Sequence, residues 1–169
     1  MNKQEFSKFA AALKSIYPKE GLLPDKMSAE LWYRLLGDLD YTLAEAVLIK
    51  WTSEHKWPPT IAEIREMAAE ITYGSIPDWS ESWDMAMKAI HRYGSWDADA
   101  AFREMDDLTA ETVRRLGYVN LCLSENLSVD RASYRQIYNT LAERKKTDRQ
   151  IAPSVVNLIE QIRNPRLEG

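Results

Sequence analysis

The segment His55-Lys-Trp-Pro-Pro-Thr-Ile-Ala-Glu-Ile-Arg65 joins two stretches with helical periodicity and predicts how they are connected. Proline has no N–H and disfavours the α conformation of the residue before it, so the first helix is expected to end near Trp57. Thr60 and Glu63 have the spacing of a capping box, in which each side chain accepts a hydrogen bond from the other's backbone N–H. The segment therefore predicts a stiff corner between two helices.

Apolar residues recur at intervals of three and four along nearly the whole chain, which is the spacing of one face of an α-helix. The pattern is clearest near the two ends of the chain, in Phe6, Phe9, Leu13 and Ile16 and again in Tyr134, Ile137, Tyr138 and Leu141. Alternation with the period of a strand does not extend over a useful length. The sequence predicts an all-α protein of about nine helices, arranged as two small helical bundles or as one extended helical domain.

Gly74-Ser-Ile-Pro77 is the best candidate for a domain boundary, because glycine and proline interrupt helices. We predict an N-terminal helical domain over residues 1–74 and a C-terminal helical domain over residues 75–169, with a basic final third. The apolar stretch 118–123 fits either a buried helical turn or a short strand, since periodicity alone does not separate the two. Three hydroxyl residues are predicted to cap helix starts, namely Ser28, Thr42 and Thr109.

The composition limits the classes of function. The 169 residues carry 22 basic and 26 acidic side chains, with the acidic excess in the middle of the chain and a basic excess after residue 128. A dedicated duplex-DNA binder usually shows a basic face throughout, which this charge distribution does not predict. The single Cys122 rules out an internal disulfide. Because no apolar run is long enough to cross a bilayer, we expect a cytoplasmic protein without a membrane contact.

The sequence shows no recognisable catalytic or cofactor site. It has neither the GxxxxGK[ST] pattern of a P-loop nor a GxGxxG cluster, so no glycine-rich phosphate cradle is predicted. His55 and His91 lie near helix ends, where an imidazole suits the helix dipole, and they are too few for a Cys/His metal cluster. We therefore expect no catalytic residue, no metal and no cofactor, and a protein that is not an enzyme.

A basic cluster in the long C-terminal helix is the candidate partner-binding site. Its members are Arg131, Arg135, Arg144, Lys145, Lys146 and Arg149. These cations suit a solvated helix end, where they complement the helix dipole. They equally suit contact with phosphate groups or docking on an acidic partner surface. Of the six tryptophans, those near helix ends, such as Trp79, are expected in the core or an interface rather than in a base-stacking platform, because their region is acidic.

Residues 1–71 resemble the N-terminal helical domain of the replicative-helicase loader/inhibitor family from phages of Gram-positive bacteria. The resemblance is carried by Phe6…Phe9…Leu13…Tyr17-Pro18, by Trp32-Tyr33…Leu36 and above all by Trp57-Pro-Pro-Thr-Ile-Ala-Glu-Ile-Arg65. The rest of the chain is similar to the C-terminal halves of longer phage replication proteins of the same kind, in Ala100-Ala-Phe102, Val113-Arg-Arg-Leu-Gly117 and Tyr134-Arg-Gln-Ile-Tyr138. The resemblance thus covers most of the chain.

The resemblance implies a DNA-replication protein of the bacterial host cytoplasm that binds a hexameric replicative helicase, loads or inhibits it without hydrolysing ATP, and delivers it to an origin-bound initiator. In the family a flexible C-terminal tail is implicated in gripping the helicase, whereas this chain has enough periodic apolar residues for a folded C-terminal half. By analogy, the helicase contact is expected within residues 131–163. One alternative is a nucleic-acid-binding replication or initiator module that uses the basic C-terminal region. A weaker alternative is a prophage packing or regulatory protein.

Overall fold

Ten α-helices make up residues 1–163, the part of the chain that the computed structural model describes. They are α1 (Lys3–Ile16), α2 (Lys26–Leu36), α3 (Tyr41–Glu54), α4 (Ile61–Tyr73), α5 (Trp79–Tyr93), α6 (Ala98–Arg103), α7 (Asp107–Leu116), α8 (Tyr118–Cys122), α9 (Leu127–Gln150) and α10 (Pro153–Arg163). No strand occurs within these residues, so the predicted all-α class is confirmed. The stretch 118–123, for which the sequence left a helical turn and a strand as alternatives, contains α8. This helix is the one in addition to the predicted nine.

The predicted corner is present. The Thr60 side chain accepts a hydrogen bond from the Glu63 N–H, and the Glu63 carboxylate accepts one from the Thr60 N–H at 2.7 Å. On the other side of the two prolines, the Trp51 indole N–H donates to the Trp57 carbonyl at 2.8 Å. The His55 ring stacks on the Trp51 ring with centroids 3.8 Å apart. The corner is therefore closed by a capping box at the start of α4 and by a buried indole at the end of α3.

Aspartates, rather than the predicted hydroxyl residues, cap three other helices. Ser28, Thr42 and Thr109 each lie inside the helix, where their backbone N–H groups donate to the true cap. A carboxylate at this position accepts these bonds and also complements the positive end of the helix dipole. The predicted helix starts were thus two or three residues late. The observed caps are Asp25, Asp40 and Asp106.

The chain divides into two compact units. Within the described residues, the first comprises 1–75 together with 148–163, and the second comprises Ile76–Thr147. Residues 148–163 thus group with the first unit, and the division into domains at residues 1–74 and 75–169 stays a prediction. Whether either unit folds as an independent domain stays a prediction.

Each unit has its own apolar core. In the first unit α3 packs against α1 and α4, and α10 packs against α2. In the second unit α5 packs against α6 and α7. The fully or nearly buried side chains of the first core include Phe9, Leu13, Leu36, Val47 and Ile64, and those of the second include Ala86, Ala101, Val113, Tyr134 and Tyr138.

Acid is expected to weaken these helix starts. Three N-cap carboxylates accept hydrogen bonds that hold their pKa values below the ordinary value of 3.8. They are Asp25 at the start of α2, Asp40 at the start of α3 and Asp78 at the start of α5. A lowered folded-state pKa stabilises the fold fully above the unfolded value, and this contribution disappears as the pH falls through the folded value. We therefore expect the thermal midpoint Tm to fall as the pH drops below about 4.

The cap contribution to this pH dependence is separable. Replacing the three caps with asparagine keeps an acceptor oxygen but removes the titration, so the decline of Tm with acid is expected to become shallower. A matched control removes three exposed carboxylates that do not cap a helix, through Glu20→Gln, Asp84→Asn and Glu125→Gln. Equal flattening in both variants would show that overall charge, not capping, sets the acid sensitivity.

Candidate partner-binding surface

The buried face of α9 determines on which side of the helix its basic side chains lie. Tyr134 and Tyr138 are 0% and 1% exposed, and Leu141 follows on the same face. The Tyr134 hydroxyl lies 2.5 Å from the Ser82 hydroxyl, and the Tyr138 hydroxyl donates to the Pro77 carbonyl at 2.8 Å. Burial raises the pKa of both tyrosines, so the phenols keep their protons at neutral pH. These contacts fix the rotation of α9 about its axis.

Two of the predicted basic residues contact the same tryptophan ring. Arg131 and Arg135 are four residues apart and so lie on the same side of α9. Their guanidinium carbons are 5.2 and 5.0 Å from the centroid of the Trp79 ring, within the range of a cation–π interaction. Trp79 is the first residue of α5 and also packs against the core of the second unit. The half-buried indole therefore orients two exposed arginines, and we call this group the Trp79 site.

A shallow groove of about 620 Å³ contains the Trp79 site. Besides the indole and the two arginines, it is lined by the amide side chains of Gln136 and Asn139, by Ser128 and by Ala132. Amides both donate and accept hydrogen bonds, and a guanidinium offers a fixed fork of donors. The groove thus combines positive charge, an aromatic ring and groups that bond to the edge of a planar ligand.

The acidic residues that neighbour the Trp79 site in sequence are engaged in local hydrogen bonds. Asp78 accepts from the Ser80 N–H at 2.8 Å, and Glu81 accepts from the Asp78 N–H at 3.3 Å. Asp130 accepts a hydrogen bond from the Ser124 hydroxyl. Hydrogen bonds from Ser80, and secondarily the charge of Arg135, hold the pKa of Asp78 below its usual value. Across residues 1–163, neither arginine of the site forms a direct ion pair.

The remaining four predicted cations lie elsewhere on α9. Arg144 is exposed and Lys145 and Lys146 are half-buried, all three within the second unit. Arg149 belongs to the first unit, where its guanidinium lies 5.2 Å from the Tyr73 ring centroid and donates to the Gly74 carbonyl at 3.2 Å. The six cations are therefore three separate sets, and their partner-binding role stays a prediction.

Arg65, the last residue of the segment 55–65, has a role that its local sequence did not predict. Its side chain is 10% exposed and forms a bidentate ion pair with Asp38, at 2.9 and 3.0 Å. It also donates to the Leu35 carbonyl at 2.8 Å and to the Gln150 carbonyl. Arg65 is four residues after the core-packed Ile61, so a charge on an apolar helix face was the available signal. It joins α2, α4 and the end of α9.

The structure supplies no metal site or membrane-spanning helix in the range it describes. Within residues 1–163, no group of three or more His, Cys, Asp or Glu side chains is placed to hold a metal ion. None of the helices in that range combines the length and apolar character needed to cross a bilayer.

Comparison with known proteins finds a similar family for the N-terminal part of the first unit. Residues 1–65 match the sequence family described as the N-terminal domain of a phage helicase-binding protein. The match ends at Arg65 and includes α1, α2, α3 and the start of α4. No curated protein and no solved structure matches the chain. Residues 1–65 are thus similar to the family that the Trp57-to-Arg65 segment resembles, and this similarity covers less than half of the chain.

Proposed function

We propose that this protein is a non-enzymatic adaptor of phage DNA replication, which binds a hexameric replicative helicase and loads or inhibits it. The observation that carries the proposal is the match of residues 1–65 to a family of helicase-binding proteins. The sequence adds support, since it lacks the glycine-rich patterns with which ATP-hydrolysing loaders hold phosphates. An origin-bound initiator is proposed as the second partner, by analogy with the family.

The cations near the end of α9 are the proposed helicase contact. Arg144, Lys145 and Lys146 are consecutive, so they place positive charge on more than one side of the helix. Such a cluster steers association with an acidic surface and selects against basic ones. Its position within the second unit means that the contact is separate from the family-matched residues.

The first experiment measures complex formation and ATPase activity with the helicase of the same phage or its host. A helicase-binding adaptor gives a stable complex at micromolar concentration in size-exclusion chromatography with light scattering. If the complex suppresses the ATPase and unwinding activities of the helicase, and both recover only after this protein dissociates, the protein is an inhibitor. If it stimulates unwinding of a primed template, the protein is a loader. The absence of a complex at micromolar concentration with either helicase contradicts the proposal.

Charge reversal at the end of α9 is expected to weaken helicase binding about tenfold or more. The variant Arg144→Glu/Lys145→Glu/Lys146→Glu converts three attractions to an acidic surface into repulsions, each worth on the order of 0.2–1 kcal/mol. Isothermal titration calorimetry at two salt concentrations measures the loss, which is expected to shrink at high salt. Helical content by circular dichroism should be unchanged, because glutamate is a good helix former.

A matched control carries the same change in net charge on other helices of the second unit. Lys88→Glu, Arg103→Glu and Arg115→Glu alter α5, α6 and α7 and leave α9 intact. We expect this control to bind the helicase within about twofold of the unaltered protein at physiological salt, because surface charges beyond a Debye length are largely screened. An equal loss in both variants would mean that total charge, rather than the end of α9, governs binding.

A further inference from the structure

We infer that the Trp79 site binds single-stranded nucleic acid, an activity beyond the proposed helicase contact. Three features of the site carry the inference: two arginines held over one tryptophan, two amide side chains beside them, and a shallow open groove. Proteins bind single strands by combining positive charge that follows the backbone with planar groups on which bases stack.

Trp79 pre-organises the two guanidinium groups. Exposed arginine side chains lose considerable rotamer freedom on binding, and holding them over the indole reduces that loss. The Cα atoms of Arg131 and Arg135 are about 6 Å apart along the helix axis, and both guanidinium groups lie over the same indole. Each fork can bond a phosphate in bidentate fashion. The site therefore presents two exposed guanidinium groups that are able to contact the phosphates of one strand.

The same groups accommodate a base. A base stacks on an arginine plane or on the uncovered part of the indole, as in single-stranded RNA recognition. The amides of Gln136 and Asn139 line the groove next to the arginines and are able to donate to and accept from the edge of a stacked base. Phosphate contact, stacking and edge hydrogen bonding thus coincide within one groove.

The carboxylates near the site keep their negative charges, but local hydrogen bonds hold them in place and, in the described part of the chain, they do not form ion pairs with the two arginines. Asp78 and Glu81 are both engaged in the capping box of α5, and Asp130 is occupied by Ser124. Both arginines lack a direct ion-pair partner within residues 1–163. A polyanion therefore meets two exposed positive charges, and the nearby carboxylates are held in local structure.

The test uses the full chain and fluorescein-labelled oligo(dT) of about 20 nucleotides, longer than the site size of a typical single-strand-binding groove. Fluorescence anisotropy measured from about 50 to 300 mM NaCl gives the slope of log K against log[salt], which reports the phosphates contacted. Arg131→Gln/Arg135→Gln is expected to weaken binding about tenfold or more at the lowest salt and to reduce the slope by about 1.4, or about 0.7 for each lost contact.

Substitution of the indole separates orientation from charge. Trp79→Leu keeps an apolar side chain and both arginines, so binding should weaken several-fold while the salt slope stays the same. Trp79→Phe retains a ring and is expected to keep most of the affinity. A loss confined to the leucine variant is then attributed to the missing ring, provided that the leucine variant is folded. Circular dichroism of each variant checks the fold.

The control for charge is Arg114→Gln/Arg115→Gln on α7. It removes the same number of charges from the same unit, and Arg114 also lies over an aromatic ring, 4.7 Å from the Phe102 centroid. This control should leave the slope unchanged. An equal change of slope, or no binding of the unaltered protein at about 50 mM NaCl, where phosphate contacts are strongest, overturns the inference.

Helicase binding of the same variants distinguishes this inference from the proposed function. Variants of the Trp79 site should bind the helicase normally, whereas the charge reversal at the end of α9 should bind it weakly. If Arg131→Gln/Arg135→Gln loses helicase binding and keeps oligo(dT) binding, the site is a contact for an acidic protein surface and the nucleic-acid inference is wrong. Failure of helicase binding in the unaltered protein leaves the oligo(dT) result standing on its own.

Discussion

Arg65→Met is expected to lower the free energy of unfolding of the first unit by about 3 kcal/mol, because it removes a guanidinium whose side chain is only 10% exposed and which bonds Asp38 and two backbone carbonyls. The methionine fills a similar volume but leaves the Asp38 carboxylate without its cation. It also leaves the Leu35 and Gln150 carbonyls without this donor. Arg65→Lys, which keeps the charge but not the planar fork, should lose an intermediate amount.

Hydrogen–deuterium exchange is the appropriate measurement, because a chain of two compact units need not unfold in one step. Exchange of the slowest amides in α3 and α4 should accelerate by about two orders of magnitude, the equivalent of about 3 kcal/mol. Amides of α5 and α7 in the second unit should exchange at unchanged rates. A uniform acceleration in both units would contradict a role confined to the first.

Arg92→Met is the matched control for burial. Arg92 bonds Glu104 at 2.6 Å, a shorter contact than that between Arg65 and Asp38, but the two side chains are 67% and 36% exposed. Exposed ion pairs typically contribute about 0–1 kcal/mol, so this variant should be close to the unaltered protein in stability. A loss as large as that of Arg65→Met would show that distance, not burial, determines the effect.

Tyr134→Ala is expected to destabilise the second unit by about 4 kcal/mol, the range for removing a large ring from a packed core. Tyr134 is fully buried and packs edge-on against Trp83, with centroids 5.1 Å apart, and parallel to Tyr138 at 6.1 Å. Exchange of the α5 and α7 amides measures the loss in the second unit, and denaturant unfolding followed by tryptophan fluorescence reports on the chain as a whole.

Tyr134→Phe isolates the hydroxyl from the ring and is expected to cost only about 1 kcal/mol. The Ser82 hydroxyl retains its bond to the Thr109 hydroxyl at 2.7 Å, so losing the phenol does not leave it without a partner. If phenylalanine proved as harmful as alanine, the buried hydroxyl cluster rather than ring packing would hold α9 in place.

Most of the fold follows from local sequence. The interval of the apolar residues predicted the helices, and Thr60 with Glu63 predicted the start of α4, because both depend on neighbours within one or two turns. The N-cap errors are also local: an aspartate two or three residues upstream competes with the hydroxyl for the same backbone donors, as Asp25 does with Ser28. The helical identity of α8 was undecided because five residues are too few for a period.

The site and the long-range contacts could not be predicted in the same way. Arg131 and Arg135 were identified as candidates from their charge, but their meeting with Trp79 depends on how α9 packs against α5, which lies far earlier in the chain. Arg65 and Gln150 are separated by 85 positions, and nothing in either local segment indicates the other. The periodicity of apolar residues can be read from a single sequence, whereas the contacts between residues far apart in the chain cannot.

The discontinuity of the first unit has a consequence for synthesis. Its helices α1 to α4 leave the ribosome early, yet their remaining partners, in residues 148–163, are made only after the whole second unit. Contacts between such distant segments form late and slow the folding of a nascent chain. Until then the Arg65 guanidinium has no Gln150 carbonyl to bond, and α2 has no α10 to cover it. The second unit is complete first, so the order of assembly is expected to run opposite to the order of translation.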